Sequence, residues 1–272
     1  MSARTGRNYR FAAAGIAFTA LVQGLIGSYV ATNAIFFATA FLCALALVAL
    51  SFIKSEEIDY SRARNAASGN GAKIERLMRL ARNRTLIYFV LCLMFFQFAD
   101  ASAIPLLSEN IAMSKAANSS LQISGLIITA QLVVMVLAPW VGYLSEGYGR
   151  KPLLLLGLGV EVLRSVIFAI TTDYNFLLIG QLLGGVTSAI VEVLIIVIIT
   201  DVTVGTGRFN LVGGAVTMLL GVASSISIAA SGFIFGTVGH LPTFLIYAGI
   251  AGLATVSAWI LLPETKPAQY VD

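Results

Sequence analysis

Charge is what this sequence has least of. Only 11% of its 272 residues are Asp, Glu, Lys or Arg, while 58% are apolar. A soluble globular chain carries about 25% charged residues, so this one cannot cover a water-facing surface. A mean hydropathy of +0.91 says the same. Histidine occurs once, at His240, in what reads as an outer loop. That excludes a multi-histidine metal site and leaves a histidine-based catalytic triad without support. The two cysteines, Cys43 and Cys92, fall inside apolar stretches and read as small core residues, with no disulfide framework or metal spacing. No glycine-rich phosphate-binding loop is present, so ATP-driven pumping is not expected, nor enzymatic chemistry, nor a cofactor. Period-two polar alternation is also missing, which argues against a transmembrane barrel.

Long apolar runs are what the sequence has instead. A membrane span needs about 20 mostly apolar residues, and eight windows qualify: 11–29, 31–53, 86–107, 120–143, 153–171, 174–200, 209–236 and 241–262. Helices satisfy their own backbone hydrogen bonds in lipid, so the fold class is all-α, an integral membrane bundle of eight helices. The net charge of +4 does not point to nucleic acid. With the amino terminus placed in the cytoplasm, all 17 basic residues except Lys115 in an outer loop and Arg164 within a span fall on the inner side. This positive-inside pattern puts both termini in the cytoplasm. Residues 1–34 share features with a secretory signal, but the apolar stretch is long for one and a second span follows at once.

The spans are unevenly spaced. Two form a first hairpin over residues 1–53, a polar connector covers 54–85, six spans occupy 86–263, and a short tail covers 264–272. Within the connector, Ile74, Leu77, Met78 and Ala81 recur at helical spacing opposite basic residues. That suits a helix lying on the inner membrane surface, although a solvated charged loop is equally simple. An internal repeat is visible. Thr5-Gly6-Arg7-Asn8 enters the first span and Thr206-Gly207-Arg208-Phe209-Asn210 the seventh, each followed by a Gly- and Ala-rich helix and an aromatic start to the next.

The most informative stretch is Gly142-Tyr143-Leu144-Ser145-Glu146-Gly147-Tyr148-Gly149-Arg150-Lys151-Pro152, a short charged turn between two apolar segments. It resembles the loop signature of the major facilitator superfamily, roughly Gly-x-Leu-Ala-Asp-Arg-x-Gly-Arg-Arg/Lys. Gly142, Leu144, Gly149, Arg150 and Lys151 match, while Glu146 stands for the aspartate and Gly147 for the following arginine. Leu262-Pro263-Glu264-Thr265-Lys266 also resembles the ending common after the last helix of such transporters. The resemblance implies two six-helix halves joined by a cytoplasmic loop. On that scheme the eight spans correspond to helices five to twelve: an incomplete amino-terminal half, lacking the first four helices, and a complete carboxy-terminal half. It further implies an inner gate at Gly142, Glu146, Gly149, Arg150 and Lys151, with the acidic residue meeting a helix amino terminus.

Charged residues within spans are the next clue, because each costs about 2.5–3.5 kcal/mol at mid-helix on insertion scales. Glu161 and Arg164 lie three apart and read as a structural pair on one helix face. Asp100 and Glu192 lack a same-helix partner. A carboxyl held out of water in a bundle can exchange protons near neutrality, so both are candidates for proton coupling; positions near the two mouths of the bundle are the alternative. Gln181, Gly184, Ser188 and Glu192 share a face of the sixth span, and Asn210, Gly214, Thr217, Gly221, Ser224 and Ser227 one of the seventh. Such stripes mean either close helix packing or a cavity, for which Gln23, Gln97, Gln181, Ser188 and Thr217 are the candidates.

The expected function is secondary active transport of a small solute across the bacterial inner membrane by alternating access, with efflux and proton coupling as refinements. The alternative is a membrane remnant or accessory subunit that does not itself transport, whose exposed faces would call for a partner or a second copy.

Overall fold

The computed structural model describes residues 2–54, 83–113, 118–204 and 208–265. The connector's basic helix at 73–82, Thr206 and Gly207 of the repeat, Lys115 and the tail beyond Thr265 lie outside those residues. Among the described residues the regular structure is entirely helical: α1 (Ser2–Tyr29), α2 (Ala34–Ser51), α3 (Arg84–Asp100), α4 (Ala103–Met113), α5 (Ser119–Gly147), α6 (Arg150–Ile170), α7 (Tyr174–Thr203), α8 (Phe209–Val238) and α9 (His240–Leu261). α3 and α4 together make one span, so these elements give eight helical segments long and apolar enough to cross a membrane.

The third span is longer than its apolar window of 86–107 and it is broken. Asn83 starts α3, its side-chain oxygen accepting the Leu86 amide at 3.3 Å. Such a cap satisfies one of the amides that a helix start leaves without a partner. The break falls at Ala101 and Ser102. Pro105 explains it: proline has no amide to donate, and its ring collides with the carbonyl four residues earlier, here that of Ala101. The same proline is compatible with the first turn of a new helix, which is where it sits in α4.

α7 is the most enclosed helix, packed between α5, α6 and α8. α9 lies against α6 and α3, and α8 leans on α3. One apolar cluster spans Phe89, Leu93, Leu158, Leu194 and Ile198, and a second gathers Leu107, Phe168, Phe244 and Tyr247. At one side α1 runs antiparallel to α5 along a seam of small residues. A Cβ on Gly6 would sit 2.3 Å from the Ala138 carbonyl oxygen, and one on Gly24 would sit 2.4 Å from Ser124 Oγ. Small residues of this kind let membrane helices approach at backbone distance. α2 follows α1 as an outlying hairpin arm with no buried residue.

His240 does not lie in a loop. The link between α8 and α9 is Gly239 alone, at φ 84°, and His240 opens α9 with its Nε2 2.7 Å from the Phe168 carbonyl of α6. A positive φ is what glycine adopts without steric cost, and that lets two long helices meet across one residue.

Candidate functional site

Two constellations of polar side chains stand out in this apolar bundle. The first is at the Arg150 end. Most of the signature stretch is helical: α5 runs to Gly147 and α6 starts at Arg150, leaving only Tyr148 and Gly149 as the turn. Gly149 has φ 99°. A helix start carries amides without intrahelical acceptors and a partial positive charge. Here the Glu264 carboxylate meets them, accepting the Arg150 amide at 2.9 Å and the Lys151 amide at 3.1 Å. Pro152 follows with no amide to satisfy. A Cβ at residue 149 would lie 2.6 Å from Glu264 Oε2, so glycine there provides both the backbone angle and the room for the carboxylate.

The Arg150 guanidinium, 3% exposed, turns inward. Its Nε donates to Asp201 Oδ2 of α7 at 3.0 Å, and its Nη1 to the Ser145 carbonyl of α5 at 2.8 Å. Lys151 Nζ donates to the Trp259 carbonyl of α9 at 2.8 Å. This clamp therefore joins α5, α6, α7 and the end of α9. Gly142 serves differently: a Cβ there would lie 2.5 Å from the Ser2 carbonyl, so it admits the start of α1. Asp201 and Glu264 both meet Arg150 or its helix start, and Glu146 is half-exposed on the last turn of α5. Sequence reasoning named Glu146 for the gate and did not single out Asp201 or Glu264 as partners of Arg150 and its helix start. The available signals were a lone aspartate closing a long apolar run and the Pro-Glu-Thr ending.

The second constellation lies farther along α6. Arg164 is 14 residues beyond Arg150, about 21 Å at 1.5 Å per residue. Its Nη1 lies 3.1 Å from both carboxylate oxygens of Glu161 and also binds Asp100 Oδ1. Glu161 is 1% exposed and Arg164 3%. Asp100 thus has a partner after all, supplied by α6 rather than by its own helix. The Glu161–Arg164 pair is buried and draws in α3. Two glycines of α7 make the room: a Cβ on Gly184 would lie 2.8 Å from Arg164 Nε, and one on Gly180 would strike the Phe168 ring. The guanidinium carbon stands 5.1 Å from the centre of that ring, a cation–π geometry.

The remaining expected residues are scattered. Glu192 is on α7, within electrostatic reach of Asp100 and of Tyr9 on α1. Gln181 is buried one turn from Gly184, its Nε2 with no hydrogen-bond partner among the described residues. Gln23 Nε2 donates to Thr39 Oγ1 of α2 at 3.1 Å, away from the bundle centre. Gln97 and Ser188 are half-buried, and Thr217 is exposed. The α8 stripe is open from Asn210 to Gly221 and buried at Ser227, whose hydroxyl meets that of Ser102 and the Phe98 carbonyl. A cavity of about 550 Å³ lies between α3 and α8, lined by Leu86, Val90, Met94, Val212, Ala215 and Leu219 among other apolar residues. None of the five expected cavity residues lines it.

Comparison with known proteins bears on this arrangement. The sequence profile of the Major Facilitator Superfamily matches residues 91–271. An uncharacterised MFS-type transporter of Mycobacterium tuberculosis (strain CDC 1551 / Oshkosh) is 30% identical over 266 residues, 96% of this chain and 63% of the relative. The tetracycline resistance protein, class B, of Escherichia coli is 32% identical over 144 residues, 52% of this chain and 34% of its own length. Multidrug resistance protein 2 of Bacillus subtilis is 28% identical over 131 residues, 48% and 32% respectively. The chain spans less than two thirds of the mycobacterial relative's length. Eight apolar helices make it a multi-pass membrane protein, and the matched segment contains Asp100, Glu161, Arg164, Arg150, Asp201 and Glu264 alike. The chain belongs to the major facilitator superfamily of membrane transporters.

Proposed function

We propose that this protein is a secondary active transporter that exports a small solute across the bacterial inner membrane, coupled to protons, by alternating access. Both termini lie in the cytoplasm on this reading, so the Arg150 clamp is at the inner face. Residues 86–263 form one transporting half, 1–53 the last hairpin of the other, 54–85 the cytoplasmic connector and 264–272 a cytoplasmic tail. The observation that carries the proposal is the clamp itself. Its contacts are charge-assisted, they cross four helices, and one of them is a carboxylate resting on a helix start. Contacts of that kind close an inner mouth yet can separate as rigid groups of helices rock. A carboxylate at an exposed helix start is worth about 0.3–1 kcal/mol, small enough to break in each cycle. Family membership supports transport, and the relatives named for tetracycline and multidrug resistance support export.

The test is flux in proteoliposomes holding the full chain, with an imposed pH gradient and tetracycline among a broad panel of drugs. Counterflow of one solute with proton movement is the expected result. No flux of any solute and no proton movement would end the transport reading. An accessory or non-transporting role is then the reading to keep. α2 without a buried residue, and Gly214 and Gly221 of α8 with no atom near their missing Cβ positions, favour it because they leave faces for a partner or a second copy.

A further inference from the structure

We propose that the groove between α3 and α8 holds one acyl chain of an anionic phospholipid, with the lipid phosphate on Arg84 and Arg208. The groove is the cavity of about 550 Å³ described above, and only apolar side chains line it. On the orientation proposed above, the lipid belongs to the inner leaflet.

Leu86, Val90 and Met94 supply one wall and Leu211, Ala215 and Leu219 the other. Both walls lie in the first turns of their helices, since α3 begins at Arg84 and α8 at Phe209. Four spans separate the two starts, so both starts face one side of the membrane. The first wall runs from Leu86 to Met94, about 12 Å at 1.5 Å per residue. One leaflet holds half of a hydrocarbon core about 30 Å thick. The groove is therefore nearly as deep as one leaflet's chains, and its mouth is level with the phosphates. Farther along, the two helices are tied together. The Ser227 hydroxyl of α8 meets the Ser102 hydroxyl and the Phe98 carbonyl. The pair is joined at that end and parted at its starts.

Size and charge select the occupant. A void leaves its lining atoms without dispersion partners, and water gains no hydrogen bond from an apolar wall. A helix from a second copy, 12 Å long and 10 Å across, would fill about 900 Å³, more than the groove holds. An acyl chain is the slimmer filling. Lipid tails are as apolar as leucine, so the groove alone does not choose among lipids. The choice is made at the mouth. Arg84 is the first residue of α3, two before Leu86, and Arg208 caps α8, three before Leu211. Arg84 is exposed and makes no ion pair among the described residues. Neither helix has an acidic residue in its first turn. The two helix starts add partial positive charge of their own. Guanidinium groups bind phosphate through paired hydrogen bonds. A headgroup without a cation, such as phosphatidylglycerol, suits this mouth. The ammonium of phosphatidylcholine would meet two like charges there.

The experiment takes the full chain, stripped of lipid in a mild detergent. Native mass spectrometry counts bound lipid as phosphatidylglycerol or phosphatidylcholine is added. One phosphatidylglycerol is expected to bind, more tightly than phosphatidylcholine. Arg84→Gln and Arg208→Gln should each weaken it by about fivefold, and together by about thirtyfold. Arg4→Gln combined with Arg10→Gln removes the same charge from α1, which does not line the groove, and should leave the site unchanged. Ala215→Trp fills the groove without altering charge and should abolish the site. Should that variant not fold, Ala215→Leu serves instead and should weaken binding. Lauric acid, a single-chain anion without phosphate, should compete poorly. Equal affinity for the two lipids, no bound lipid, or a site untouched by the arginine pair or by the Ala215 variant would overturn the proposal. So would an equal loss in the α1 variant, lauric acid competing as an equal, or a dimer that Ala215→Trp dissolves. None of these readouts needs solute flux, so failure here and failure of the transport reading are distinguishable.

Discussion

Removing Arg164 is the sharpest perturbation the bundle offers. Arg164→Leu keeps an apolar side chain of moderate size but leaves Glu161, 1% exposed, without the only cation that touches it among the described residues. Breaking a buried pair by deleting one partner costs about 3–5 kcal/mol, because the other charge remains buried and uncompensated. At 1.4 kcal/mol per factor of ten, the folding equilibrium falls by between about a hundredfold and a few thousandfold. Removing both partners has a different outcome. Replacing a buried pair by apolar residues of similar volume is often neutral, so Glu161→Leu combined with Arg164→Leu should regain most of the loss. Recovery stays incomplete because Asp100, 27% exposed at its side chain, is left without its cation. Equilibrium unfolding in mixed micelles, followed by helical circular dichroism under increasing sodium dodecyl sulfate, reads both variants. An exposed ion pair would cost only about 0–1 kcal/mol. A single variant within that range of wild type, or a double variant no better than the single one, would refute the picture of a buried charge balance.

Three further outcomes are expected. Gly149→Ala forces alanine into a backbone region that is essentially glycine's alone, φ 99° with ψ 166°, at about 1–3 kcal/mol, and pushes Glu264 off the α6 start, so protease cleavage just beyond Leu262 should accelerate; an unchanged cleavage rate would argue against the clamp. Arg150→Ala should cost more stability than Glu264→Gln in the same unfolding assay, because Arg150 is buried on Asp201 while Glu264 is exposed. Gly6→Val should separate α1 from α5, seen as loss of cysteine cross-linking between the two helices. Gly15→Ala, with nothing within 4 Å of its Cβ position, should leave the cross-link intact and gain about 0.5–1 kcal/mol of helix stability.

The helices were legible because lipid enforces them: an apolar run of span length admits few other conformations. Their ends were less so. The signature stretch read as a loop because Ser145, Glu146 and Gly147 are polar or small, yet they complete the last turn of α5. Local composition does not reveal that a helix continues past the apolar zone. Glu161 and Arg164 could be paired by spacing alone, since three residues bring them to one face. Asp100 could not be joined to them, because 64 residues of chain separate it from Arg164 and only the packing of α3 on its neighbours closes the gap. The acid on the α6 start was hidden for the same reason, since Glu264 lies more than a hundred residues beyond the amides it accepts. Gln23 looked like a cavity residue because glutamine is rare in an apolar helix, but the neighbouring arm α2 absorbs its donor.

The break between α3 and α4 has a consequence for biosynthesis. The chain is made in order, so α3 and α4 are synthesised before the helices that complete them. Asp100 is then a charged side chain in an apolar segment whose cation, Arg164, has not yet been added, and such a charge opposes insertion by about 2.5–3.5 kcal/mol. The Phe98 carbonyl likewise waits for Ser227, made 129 residues later. The third span is therefore the one whose insertion depends most on helices made after it, and a chain arrested before α6 should hold that span less firmly in the bilayer than one arrested beyond α6.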